Sequence, residues 1–211
     1  AKNCLYNAAF ALLNKGEECI IPTPYWVSYP HMVNLAKGVP VYVPTREENC
    51  FRMTPEDLER AITPNTKAVI LNNPSNPTGG TYNEMQLREV VDVAMKEGLV
   101  IISDEIYEKL TYDGFRFVSV AALGEKVRER SLIVNGFSKA YSMTGWRLGW
   151  AVGPAELVAG LDKIQSHSTS NACSIAQWAG VEALNGPQYE IHRMRQEFQK
   201  RRDFMLYRLQ M

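Results

Sequence analysis

Short β-prone runs alternate with helical patterns along most of this chain, and that alternation restricts the fold more than any other feature. The candidate strands are Glu18–Ile21, Val39–Val43, Ala68–Leu71, Leu99–Ser103 and Ser131–Val134. Strands separated by helix-length segments signal a parallel sheet with helices packed on it. Two of the crossover helices are marked by their caps. Thr54-Pro55-Glu56-Asp57 sets an N-cap threonine before a proline at the first helical position, and Asn83-Glu84-Met85-Gln86 opens a helix that Gly98 closes. Leu148–Val152 follows the strand near Val134 by only about a dozen residues, too few for a helical crossover, so it is expected to run antiparallel. The fold class predicted is α/β: three α/β/α layers around a mostly parallel sheet with one antiparallel strand.

The 211 residues are 45% hydrophobic and 22% charged, enough to bury a sizeable core. Lys+Arg and Asp+Glu are both 23, so no net field draws the chain to nucleic acid or an anionic membrane, and the expected partner is a small molecule. No apolar run approaches the roughly 18 residues of a membrane helix. Cys4, Cys19, Cys50 and Cys173 lie far apart with no CxxC pair, which points to buried, reduced thiols in a cytoplasmic protein rather than a metal or redox site.

An amphipathic run begins at once from Ala1, through Leu5, Ala8, Ala9, Leu12 and Leu13, and Ala1 is not an initiator Met; the chain is expected to start in mid-gene. From Gln188 onward Ile191, Met194, Phe198, Met205 and Leu209 recur at helical spacing among arginines and lysines. Residues 1–187 are therefore expected to form one domain, and 188–211 the start of a long helix leading into something larger.

Ligands bind at the carboxyl ends of strands in open α/β sheets, and the segments rich in chemistry lie there. Asn72-Asn73-Pro74-Ser75-Asn76-Pro77-Thr78-Gly79 follows one candidate strand, Asp104-Glu105-Ile106-Tyr107 a second, Phe137-Ser138-Lys139 a third and Pro22-Thr23-Pro24-Tyr25-Trp26 a fourth. Lys139 follows an apolar strand, where desolvation frees an amine for Schiff-base chemistry. Asp104 ends another, where a buried carboxylate needs a cationic partner such as a ring nitrogen. Tyr107 and Asn76 offer donors to a ring oxygen, Arg147 suits a phosphate, and Trp26 offers a flat face. The start of the first helix, at Ala1 and Lys2, presents free backbone N–H groups to an anion. His31, His167 and His192 read as structural or surface residues, and Ser166-His167-Ser168 lacks the partners of a nucleophile site.

Three segments together are specific: Asn72 to Gly79, Ser103 to Glu108, and Phe137-Ser138-Lys139-Ala140-Tyr141-Ser142-Met143-Thr144-Gly145-Trp146-Arg147-Leu148-Gly149. The chain resembles the class I aminotransferases of pyridoxal phosphate (PLP) fold type I, most closely the bacterial-type aspartate aminotransferase branch, over essentially its whole length. The resemblance implies that Lys139 forms the Schiff base with PLP and then acts as general acid/base. It implies that Asp104 pairs with the pyridinium, that Asn76 and Tyr107 donate to the ring hydroxyl oxygen, and that Trp26 stacks on the ring. Ser138, Arg147 and the backbone at Ala1-Lys2 would hold the phosphate. The implied reaction is ping-pong transfer of an amino group from an amino acid such as aspartate to a 2-oxo acid such as 2-oxoglutarate, in a cytoplasmic homodimer.

In that family a glycine and a strand precede the phosphate loop, and the arginine for the substrate α-carboxylate belongs to a C-terminal small domain. Neither is in this chain, so the 211 residues alone are expected to bind PLP weakly or not at all and to lack useful turnover. Gly136 stands where animal-type enzymes carry a second phosphate-binding serine, which fits the bacterial-type branch. Two other readings stay open: a PLP-dependent lyase of the same fold, which needs only another substrate pocket, and a non-catalytic effector domain of a transcription regulator. A nucleotide-binding Rossmann domain is disfavoured, since no GxGxxG follows a strand.

Overall fold

The computed structural model describes residues 1–211. Six strands form one sheet: β1 Glu18–Thr23, β2 Val39–Pro44, β3 Thr66–Asn72, β4 Val100–Asp104, β5 Ser131–Gly136 and β6 Gly149–Val152, in the order β2-β1-β3-β4-β5-β6. All neighbours are parallel except β6, which runs antiparallel to β5 at the sheet edge, with Gly136 opposite Gly149. Eight helices complete the fold: α1 Lys2–Leu12, α2 Ser28–Leu35, α3 Pro55–Ala61, α4 Glu84–Lys96, α5 Glu125–Arg128, α6 Ala155–Ser166, α7 Ser174–Asn185 and α8 Tyr189–Leu209. None is long and apolar enough to cross a membrane.

Side chains alternate across each strand, so successive apolar residues feed two cores. Ile20, Val69, Leu71, Ile101 and Ile133 pack with Leu58 of α3 and Leu87, Val90 and Val91 of α4. Cys19, Ile21, Ala68, Ile70, Ile102, Leu132 and Val134 pack on the other face with Leu5 and Ala8 of α1, Tyr29 and Val33 of α2 and Leu161 of α6. The result is the three-layer α/β/α arrangement. The long apolar runs of the inner strands are explained by burial on both faces.

Local chemistry places the helix starts as expected. Thr54 accepts from the Asp57 N–H at 3.2 Å while Asp57 accepts from the Thr54 N–H at 3.1 Å, a reciprocal cap completed by Pro55. Asn83 and Gln86 make the same box at α4, and Gly98, at φ +68°, carries the left-handed turn after it. No side-chain cap marks α2, and Pro30 sits in its first turn, where a missing N–H costs nothing.

Several strands run past their expected ends. β1 continues through Pro22 and Thr23 because pairing with β2 persists, Pro22 opposite Val43 and Thr23 opposite Pro44. β3 and β4 end in Asn72 and Asp104, paired with each other, so both residues belong to the sheet rather than to the loops beyond it. The cysteine expectation needs correction. All four are unpaired, but only Cys19 is buried, between β1 and the α1/α2 layer, where burial pushes its thiol up to about 12. Cys4 is half-buried on α1, Cys50 ends a 3-10 turn at the surface, and Cys173 lies exposed at the start of α7.

Candidate active site

The carboxyl ends of β1, β3, β4 and β5 lie along one edge of the sheet, and the chain's path reverses between β1 and β3, since β2 lies on the far side of β1. Crevices at such a reversal are where α/β sheets bind ligands. A cleft of about 1110 Å³ opens there. Ala1, Lys2, Trp26, Asn76, Asp104, Tyr107, Ser138, Lys139 and Arg147 all line it, so the nine residues singled out from the sequence meet in one cavity.

Lys139 is held by a short turn after β5. The N–H groups of Tyr141 and Met143 donate to the Phe137 carbonyl, that of Ser142 donates to the Lys139 carbonyl, and Phe137 and Ala140 on either side are buried. The side chain itself is half-buried at the cleft wall, with Nζ 5.5 Å from the centre of the Tyr107 ring. Tyr107 is carried by the turn that follows β4, closed by Glu108 N–H to the Glu105 carbonyl. Buried Glu105 anchors that turn, its Oε1 accepting from Ser103 Oγ, Ser119 Oγ and the Val120 N–H at 2.9 to 3.0 Å.

Asp104 is 4% exposed and makes no ion pair with a lysine or arginine side chain. Its Oδ2 accepts from the Tyr29 hydroxyl at 2.8 Å and its Oδ1 from the Ile106 N–H at 3.3 Å. Burial pushes the Asp104 carboxyl up from the ordinary range, against the lowering by those two donors. A buried carboxylate at a cleft wall, with an incomplete set of donors, is a site for a cation of modest size.

The remaining residues form the rim. Ala1 is the N-cap of α1 and gives it no side-chain hydrogen bond, so the first N–H groups of the helix are left uncapped where Ala1 to Leu5 line the cleft. β6 permits this approach because residue 149 is glycine: a β-carbon there would overlap the Ala1 nitrogen. Lys2 Nζ lies 4.8 Å from the centre of the Trp26 ring, so the indole meets a cation on one side. Arg147 is exposed in the left-handed region, φ +53°, and donates from Nη1 to the Thr144 carbonyl at 2.7 Å. An uncapped helix N-terminus, a hydroxyl at Ser138 and a guanidinium on one rim suit a phosphate.

Two residues of the site go beyond the sequence reading. Asn72 donates to the Asp104 carbonyl at 3.0 Å and accepts from the Asn76 N–H at 2.8 Å, tying two strand ends together. Tyr29 reaches Asp104 from α2. Tyr29 stands in the first turn of α2, its N–H donating to the Trp26 carbonyl at 3.1 Å, and its place three residues after Trp26 is the only trace of its role in the sequence.

The cleft brings together an amine, a buried carboxylate, amide and phenol donors and an anion-suited rim, a set that fits an aromatic phosphate cofactor with an electrophilic carbonyl. The family model for class I and II aminotransferases matches residues 1–211. This chain belongs to the class I and II aminotransferase family. Members of class I such as aspartate aminotransferase are PLP-dependent. Among the relatives of this aminotransferase chain, the aspartate aminotransferase of Geobacillus stearothermophilus is 53% identical over 201 residues, covering 95% of this chain and 51% of the relative. The aspartate/prephenate aminotransferase of Cereibacter sphaeroides is 52% identical over 206 residues, 97% of this chain and 52% of the relative. In fold, the aspartate aminotransferase from Rhizobium meliloti matches with a TM-score of 0.94 at 46% identity, covering 96% of this chain and 51% of that one. The chain spans about half the length of the curated relatives it matches.

Proposed function

We propose that the protein carrying these residues is a PLP-dependent aminotransferase that moves an amino group from an amino acid, aspartate in the first instance, to a 2-oxo acid such as 2-oxoglutarate, in two half-reactions on one site. The observation that carries this reading is the meeting of Lys139 and the unpaired, buried Asp104 in one cleft with a phosphate-suited rim. The aspartate specificity is supported by the relatives that bear that name.

When bound, PLP supplies an aldehyde for the amino group and a protonated ring that withdraws electrons from the substrate α-carbon. Asp104 holds the proton on the ring nitrogen, because a carboxylate beside it favours the charged ring. Asn76 and Tyr107 would donate to the ring hydroxyl oxygen and so orient the cofactor. Trp26 covers the ring face. Ser138, Arg147 and the N–H groups at Ala1 and Lys2 would hold the phosphate and so place the cofactor against Lys139. Lys139 Nζ would serve as the base and acid that moves the proton at the substrate α-carbon, work that needs an amine held close and free to swing. Its half-exposed place over the Tyr107 ring supports that role.

A homodimer in the cytoplasm completes the reading. Ile175, Trp178, Val181 and Leu184 of α7 expose an apolar face beside the cleft, which supports a second copy there. The deciding experiment incubates the full-length protein with aspartate, 2-oxoglutarate and PLP. Glutamate and oxaloacetate in equal amounts are expected; pyruvate with ammonia would instead assign a lyase, and PLP binding with no turnover of any amino acid an effector domain.

A further inference from the structure

The Asp104 carboxylate hydrogen-bonds to only one side chain, the phenol of Tyr29, a core residue of α2 that also reaches the cleft wall. The Tyr29 hydroxyl donates to Oδ2 at 2.8 Å, and the residue is 2% exposed. Its ring also packs edge-on against Trp26, with centroids 5.3 Å apart and planes at 80°. One buried residue of α2 thus touches both the carboxylate read above as partner of the ring nitrogen and the indole read as cover for the ring. Phenylalanine would fill the same core space, and a hydroxyl buried without a partner is costly, so the hydroxyl is there for Asp104.

We propose that Tyr29 is a positioning residue for the cofactor ring, holding the Asp104 carboxylate ionised with Oδ1 turned to the ring nitrogen, and setting the plane of Trp26 through the ring contact. This rests on the reading of Asp104 given above. The geometry assigns the two oxygens different work: Oδ2 accepts the shorter bond, 2.8 Å from Tyr29, while Oδ1 accepts only the longer 3.3 Å bond from Ile106 and is the less committed oxygen, left for the ring. A donor on Oδ2 lowers the proton affinity of the carboxylate, so a proton shared with the ring stays on the nitrogen. Burial and the neighbouring carboxylate hold the Tyr29 phenol far above its ordinary range, so it remains a donor.

The test uses the full-length holoenzyme carrying PLP labelled with nitrogen-15 in the ring, as wild type, Tyr29→Phe and Asp104→Asn. The ring nitrogen-15 shift reads where the proton sits, and equilibrium dialysis reads the Kd for PLP. Tyr29→Phe is expected to move the shift toward neutral pyridine and to weaken PLP binding roughly ten- to a hundredfold, the loss of one charge-assisted hydrogen bond. A wild-type shift and Kd in Tyr29→Phe, with both altered in Asp104→Asn, would overturn this proposal and leave the reading of Asp104 standing. An unaltered shift in Asp104→Asn would overturn that reading and this proposal with it. If Tyr29→Phe does not fold, 3-fluorotyrosine at position 29 keeps the shape and strengthens the donor. The shift then moves toward the protonated limit and Kd falls; no change in either overturns the proposal.

Discussion

The Nζ of Lys139 and the ring of Tyr107 face each other at 5.5 Å, although one residue follows β5 and the other β4. Register explains the meeting. Asp104 pairs with Val134 across β4 and β5, so segments leaving the two strands a few residues later emerge side by side. A lysine in that place is expected to be the proton carrier of the reaction. Lys139→Ala should lower kcat by about 10²- to 10⁴-fold or more while the fold is kept, because the side chain is half-exposed and anchors nothing. Steady-state kinetics with circular dichroism checks this, and a variant within tenfold of wild type contradicts it.

Asp104 should leave a mark on stability that can be read without cofactor. Burial raises its pKa, so the folded chain keeps a proton over a pH range where the unfolded chain has lost it. Its contribution is then fully present below about pH 4 and is lost as pH rises through the folded value. Asparagine does not titrate, so cofactor-free Asp104→Asn should gain on wild type as pH rises from about 4 to 8. Urea midpoints measured across that range test the sign; parallel curves would refute it.

Gly149 is where α1 is let in against β6. A β-carbon there would strike the Ala1 nitrogen, so Gly149→Ala must push the start of α1 outward, at a cost of about 1–3 kcal/mol. If the α1 N-terminus binds the phosphate, the variant should lose affinity for PLP and for inorganic phosphate as a competitor, in the same proportion. Fluorescence titration with each measures it. Loss of PLP affinity with phosphate competition untouched would detach α1 from the phosphate.

The cap at Thr54 offers a control remote from the cleft. Thr54→Ala removes the bond to the Asp57 N–H and should cost about 1 kcal/mol, read as a shift in denaturation midpoint. PLP affinity should be unchanged, since α3 lines no part of the cleft.

Much of this was legible because the inner strands are buried on both faces and so read as plain apolar runs, and because parallel strands put their carboxyl-end residues on one edge. That is why Asn76, Asp104, Tyr107 and Lys139 could be grouped before their geometry was known. Other features leave little trace. Strand order depends on which edges pair, and nothing in Val39–Pro44 shows that β2 lies outside β1. α2 is short, uncapped and carries Pro30, so its Tyr29 reads as one more core aromatic. The exposure of Cys50 and Cys173 follows from turns at the ends of short elements, which composition does not report.

The central claim is that Lys139 carries the cofactor, and it has a direct measurement. The full-length protein, loaded with PLP, is reduced with borohydride, digested and mapped by mass spectrometry. A phosphopyridoxyl group on the peptide containing Phe137-Ser138-Lys139-Ala140, at Lys139 and nowhere else, is the predicted result. A modified lysine elsewhere, or none in protein that demonstrably holds PLP, would contradict it.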